Sequence, residues 1–134
     1  VWRGTDDAYG SCANGHCVAD VERRHLPKDG CQQPLASDSY DFVFSFIVFQ
    51  HVPSLAIIGS YCRDAHRILK PGGLFKFQVQ GRTTFRRGRR DTWTGYQVSP
   101  SQARKLARGA GFVMEHSEGR GTQYYWLWFR KPPA

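Results

Sequence analysis

Between Ser39 and Gln78 the chain reads SYDFVFSFIVFQHVPSLAIIGSYCRDAHRILKPGGLFKFQ, and its hydrophobic pattern changes period twice. Phe42 to Phe46, extending toward Phe49, is apolar on consecutive positions, the pattern of a strand covered on both faces of a sheet. Leu55, Ile58, Cys62, Ala65 and Leu69 then recur at intervals of three and four, while Ser60, Arg63, Asp64 and Arg67 fall on other faces, which predicts an amphipathic helix. Pro53 and Ser54 open that helix. The Ser54 hydroxyl can accept from the open amides of the first turn, Lys70 sits where the helix dipole favours a cation, and Pro71-Gly72-Gly73 ends the element. Leu74 to Val79 returns to alternation, with Phe75, Phe77 and Val79 on one face and Lys76 and Gln78 on the other. A connection this long is not a hairpin. The two strands are expected to lie parallel with a right-handed crossover, their carboxyl ends facing one crevice.

The same block resembles the second half of a class I S-adenosylmethionine-dependent methyltransferase domain. In that family the fourth strand carries a pattern like Tyr40-Asp41-Phe42-Val43-Phe44-Ser45, and the next helix runs into Arg-x-Leu-Lys-Pro-Gly-Gly, which stands here as Arg67 to Gly73. Ser99 to Phe112, SPSQARKLARGAGF, is similar to the family's later helix leading through Ala-Gly-Phe into the sixth strand, and Tyr124 to Arg130 to the seventh. The resemblance covers Asp38 to Lys131. It implies an α/β fold, a partial Rossmann-like sheet that is mostly parallel with an antiparallel C-terminal hairpin strand. It also implies S-adenosylmethionine as the methyl donor of the complete domain, with the acceptor unspecified and a small molecule among the options.

One family element has no counterpart. An acidic residue followed by Gly-x-Gly after the first strand lets backbone amides approach the cofactor, and nothing of that form precedes Tyr40. Gly119-Arg120-Gly121 leads into a strand rather than a helix, so it reads as a turn between the last two strands. With 134 residues, the chain is shorter than a complete domain of the family, and a truncated domain is expected. Residues 1–37 hold seven large apolar or aromatic side chains and residues 38–79 hold nineteen, so the first segment cannot bury itself and reads as a poorly ordered or diverged leader. Residues 38–134 then form an incomplete methyltransferase-like domain. Weak binding of the cofactor, or none, is expected of such a chain. Without the family's preceding strand, Phe42 to Phe46 presents an unpaired edge, unless a short leader strand near Cys17 to Val21 pairs there.

Candidate cofactor contacts follow from the resemblance. Asp29 and Gly30 lie shortly before the fourth strand, where the family places an acidic residue near the adenine, although the spacing is one residue short and a solvated Asp-Gly turn is the competing reading. Ser45, Phe46 and Ile47 end the first strand of the crossover and would line the crevice, largely through main-chain atoms. Gln50-His51 follows, and His51 is the candidate general base for an acceptor, against the plainer reading of a histidine hydrogen bonded in its loop. Alignment alone can support methyl transfer, so no base is obligatory. Asp41 reads as structural. Cys12, Cys17 and Cys31, with His16 and His25 between them, do not match zinc-ligand spacing, and Cys62 falls on the apolar helix face as a small buried hydrophobe; no metal is expected.

Charge adds a rival reading. Residues 1–79 carry eight Lys or Arg and eight Asp or Glu, whereas residues 80–134 carry eleven and three, so the formal net charge of +8 arises after the second strand. Arg82, Arg86, Arg87, Arg89 and Arg90 cluster with Phe85 and Trp93, a composition that can meet an anionic small molecule, an acidic protein surface or RNA. The alternative function is therefore a non-catalytic binding module that keeps the sheet and uses the Arg82 to Arg90 loop for an anionic partner. No apolar run reaches membrane-spanning length and residues 1–37 have no signal-peptide core, so a cytoplasmic protein without a membrane partner is the default expectation.

Overall fold

The computed structural model describes residues 35–82 and 94–134. The leader strand near Cys17 to Val21, Asp29 and Gly30, and the loop from Phe85 to Trp93 lie outside the described residues.

The first strand, β1, spans Tyr40–Ser45, and a 3-10 turn follows at Phe49–His51. Ser54 keeps an extended backbone and its hydroxyl accepts from the Ile57 N–H at 3.4 Å, which starts helix α1 (Leu55–Ile68) at the expected residue. The helix gives way directly to β2 (Leu69–Val79), an earlier strand start than the Pro-Gly-Gly signal suggests. Both observations are compatible in geometry. Tyr40 pairs with Leu69, but pairing resumes only at Phe42 with Leu74, so Lys70 to Gly73 loops out of the ladder as a bulge. The Gly72 N–H donates to the Lys131 carbonyl at 3.0 Å and the Lys131 N–H to the Gly73 carbonyl at 2.9 Å, fastening the bulge to the end of the last strand.

Helix α2 (Pro100–Ala110) begins with a capping box. The Ser99 hydroxyl accepts from the Gln102 main-chain N–H and the Gln102 side-chain Oε1 accepts from the Ser99 N–H, with Pro100 at the first helical position. After Gly111 the chain enters β3 (Val113–Glu118), turns through Gly119 and Gly121, both at φ +77°, and returns as β4 (Tyr125–Arg130). A side chain at Gly119 would collide with the Tyr124 carbonyl oxygen, so the Gly-x-Gly serves a hairpin, as its context predicts.

The sheet order is β1-β2-β4-β3. β1 and β2 are parallel, and β4 is antiparallel to both β2 and β3, so three strands share one direction and β4 opposes them. The mixed α/β sheet with its antiparallel hairpin strand is the expected fold. Among the described residues β1 is an edge strand.

Ile58, Tyr61, Cys62, Ala65 and Ile68 of α1 meet Ala103, Leu106 and Ala107 of α2 over Phe75, Phe77, Leu127 and Phe129 of the sheet, forming one buried core. The expectation of cover on both faces is corrected here. Phe42 is 52% exposed and Phe46 42%, and with Phe44 and Trp126 they form a stacked aromatic row on the face away from α1 and α2. Lys76 stands over the Trp126 and Trp128 rings, 5.0 and 4.7 Å from their centroids. Asp64 also departs from expectation. It is buried, because Arg67 binds it at 2.8 Å while reaching the Leu35 carbonyl and Ser37 hydroxyl. Asp41 pairs with Lys70 at 3.0 Å on the surface, a structural role.

Candidate functional site

Parallel pairing of β1 with β2 brings their carboxyl ends together, and the crevice outside those ends is where open α/β sheets bind ligands. Ser45 shares a strand face with Val43 and is fully buried toward the helices; its hydroxyl has no hydrogen-bond partner. No part of Ser45 is exposed. Phe46 turns to the other face and packs on Trp126, with ring centroids 5.2 Å apart, and on Tyr124. Ile47 is 44% exposed and holds φ at +63°, a left-handed conformation that a β-branched residue rarely adopts. The strand ends in that reversal, leaving Phe46 and Ile47 as an apolar lip.

Gln78 explains how the reversal is held. Its Oε1 accepts from the Ile47 N–H at 3.0 Å, and its Nε2 donates to the Gln123 carbonyl at 2.8 Å, the Val79 carbonyl at 3.1 Å and Gln50 Oε1 at 2.8 Å. The side chain is completely buried, so these bonds replace water that it cannot reach. Gln50 in turn places its Nε2 3.1 Å from His51 Nε2. Ile47, Gln50 and His51 thus belong to one polar network centred on β2. The Gln50 main chain is also backed by Gly95, at φ +63°, where any Cβ would overlap the Gln50 carbonyl. Tyr96 extends the contact by donating its N–H to the Val52 carbonyl at 2.8 Å.

Of the residues suggested by sequence, the structure therefore gathers Ser45, Phe46, Ile47 and His51 at one sheet end, while Asp29 and Gly30 lie outside the described residues. Arg82, which leaves the carboxyl end of β2 beyond Gln80, is exposed and donates its N–H to Gln80 Oε1. The rest of the arginine loop is outside the description. Gln78 is the site residue that sequence reasoning misses, while Gln50 enters only as the neighbour of His51. The available signal was a glutamine among the buried last residues of the strand, four places before an exposed cation.

Cys62 is no nucleophile: burial pushes its thiol up to about 12, with the nearby Arg63 only partly opposing the shift. Among the described residues no group of three His, Cys, Asp or Glu side chains is placed to hold a metal, and no helix is long and apolar enough to cross a membrane. A groove of about 420 Å³ lies between α1 and α2, lined by Leu55, Gly59, Leu106 and the cations Arg63 and Lys105. It is on the helical side, away from the strand ends.

A family model described as a methyltransferase domain matches residues 11–77, half of the chain. No curated protein sequence matches significantly. Among solved structures, an S-adenosylmethionine-dependent methyltransferase from Methanosarcina mazei is similar at a TM-score of 0.63 and 12% identity, over 96% of this chain and 75% of that one. A possible histamine N-methyltransferase from Thermotoga maritima is similar at 0.58 and 17% identity, over 81% and 63%. A possible exported protein from Bordetella parapertussis is similar at 0.60 and 19% identity, over 73% and 41%. This chain spans between 41% and 75% of the lengths of the similar structures. At such identities the likeness is one of fold, and the family rests on the matched half. With that match and a parallel crossover and C-terminal hairpin in the expected order, the chain belongs to the class I S-adenosylmethionine-dependent methyltransferase family.

Proposed function

We propose that this chain is part of a methyltransferase domain whose crevice wall, built from Phe46, Ile47 and the Gln50-His51 turn, faces the methyl donor and an acceptor. The family match across residues 11–77 carries the reading. S-adenosylmethionine, when bound, supplies an electrophilic methyl group on a sulfonium. The described wall fits such a group in part: the exposed Phe46 and Ile47 side chains offer apolar surface to a flat heterocycle, and the Gln78-held reversal keeps both in place. Asp29 and Gly30 are the proposed adenosine-side contacts. His51 is the proposed acceptor-side residue, and a small molecule the proposed acceptor class.

No acidic Gly-x-Gly motif stands before Tyr40 to supply backbone amides to the cofactor, so weak binding is the proposed outcome. Calorimetry with S-adenosylhomocysteine tests this. A Kd near 1 μM, roughly −8 kcal/mol, would refute weak binding, and an Ile47→Asp variant should abolish whatever heat is seen.

A second reading is favoured by the excess of eleven basic over three acidic residues in residues 80–134. Here the chain is a binding module for an anionic partner such as RNA, engaged by the segment that begins at Arg82. Salt-sensitive RNA binding without any S-adenosylhomocysteine heat would select it.

A further inference from the structure

The polar network at the strand ends does more than hold a loop, because it determines which atoms of His51 carry protons. Gln78 has its orientation set by main-chain groups whose chemistry is unambiguous. Its Oε1 faces the Ile47 N–H at 3.0 Å, while its Nε2 faces the carbonyls of Gln123 at 2.8 Å and Val79 at 3.1 Å. Reversing the amide would set its oxygen against two carbonyl oxygens and its NH2 against an N–H. All of these bonds would be lost inside a fully buried site. The Gln78 NH2 must therefore be the group that meets Gln50, 2.8 Å away. Gln50 answers with its carbonyl oxygen, since its own NH2 there would oppose another donor. That orientation leaves the Gln50 NH2 facing the His51 ring at 3.1 Å. An amide NH2 only donates, so the ring nitrogen it meets must accept. Turning the ring over would replace that nitrogen with a C–H and forfeit the bond.

We infer that the Gln78–Gln50 amide pair holds neutral His51 as the Nδ1–H tautomer, with Nε2 unprotonated and bonded to the Gln50 NH2. The consequence bears on the methyltransferase reading and, in that respect only, rests on it. In this state the ring donates solely from Nδ1, and its one basic nitrogen is already engaged. A proton taken from an acceptor through Nε2 requires the Gln50 bond to open first. Nε2 of His51 is accordingly not a ready base. Gln78 and Gln50 are positioning residues for it.

The test is direct and needs no cofactor. Protein labelled with ¹⁵N histidine is examined by long-range ¹H–¹⁵N correlation at about pH 8, above the ordinary imidazole range near 6.5, with His51→Gln used to assign the signals. The wild-type His51 ring should show Nδ1 protonated and Nε2 not. Gln50→Glu supplies an acceptor in place of the donor, so Nε2 should become protonated. Gln50→Leu, a variant less dependent on a buried charge, should lose the Nδ1–H preference. A wild-type ring with Nε2 protonated would overturn the inference, as would a Gln50→Leu spectrum identical to wild type. The family reading stands or falls separately, on cofactor binding.

Discussion

Replacing Gln78 with methionine keeps the length and volume of the side chain and removes its hydrogen bonding, so the cost can be worked out partner by partner. The 3.1 Å contact to the Val79 carbonyl shares the two amide hydrogens with the shorter bonds to Gln50 and Gln123 and is counted with them. Two of the contacts, to the Ile47 N–H and the Gln123 carbonyl, are only partly buried. Water can take over there, and each loss should cost about 1 kcal/mol. The Gln50 Oε1 contact is buried, and leaving that oxygen unsatisfied costs about 1–3 kcal/mol. Burying a thioether in place of an amide returns roughly 1 kcal/mol, giving a net destabilisation of about 2–4 kcal/mol. Against a typical domain stability of about 5–15 kcal/mol, this is a large share. Urea unfolding followed by far-UV circular dichroism provides the measure. With a slope of about 1.5 kcal/mol/M, the midpoint should fall by about 2 M. The Ile47 amide should also exchange much faster in Gln78→Met, because its acceptor is gone. A midpoint within about 0.3 M of wild type, at unchanged slope, would refute the claim that this network holds the strand end.

Lys131 supplies a second case. Its ammonium, 13% exposed, donates to the carbonyls of His66 at 2.9 Å and Leu69 at 2.7 Å and to Asp38 at 2.7 Å, closing the carboxyl end of α1. Lys131→Met should cost about 1–3 kcal/mol and speed amide exchange in the last turn of α1, and an unchanged exchange pattern would count against the clamp. His66 offers a pH signature. Burial, then the Lys131 charge, lower its pKa below 6.5, against weaker opposing effects from the Gly111 backbone and Asp38. The folded state thus binds fewer protons than the unfolded one. Its contribution is complete above about pH 6.5 and is lost as pH falls through that value toward the lowered one, so His66→Gln should flatten the stability curve there. Cys62, with its thiol pushed up to about 12, should resist alkylation at pH 8 when modified peptides are mapped by mass spectrometry. It should react only after denaturant is added.

Much of this architecture was legible because local signals agreed with one another. Ser54 capped the helix, Pro-Gly-Gly interrupted it, and Gly119 and Gly121 marked the hairpin, each through a backbone requirement that a few residues express by themselves. What stayed hidden depended on partners distant in sequence. Leu69 pairs with Tyr40 before the bulge, a relation between segments that no local period reveals. Asp64 looked like a surface carboxylate until Arg67 folded over it. The consecutive apolar residues of β1 correctly announced a strand, but hydrophobicity states a preference for cover without saying what supplies it. Phe42 and Phe46 remain exposed opposite α1 and α2. At the candidate site the family resemblance led to Phe46, Ile47 and His51. The glutamine that unites them was invisible, since its importance lies in bonds reaching as far as Gln123, 45 residues away.

The aromatic row on the open face also makes the protein its own optical probe. Trp126 and Trp128 flank the Lys76 ammonium instead of lying in the apolar core, so their emission reports the polarity above the sheet. In a background with Trp2 and Trp93 replaced by phenylalanine, whatever settles on that surface should shift the indole spectrum toward the blue. Unfolding, which breaks the stacking of Trp126 on Phe44 and Phe46, should shift the spectrum the opposite way, so the two events are told apart by sign.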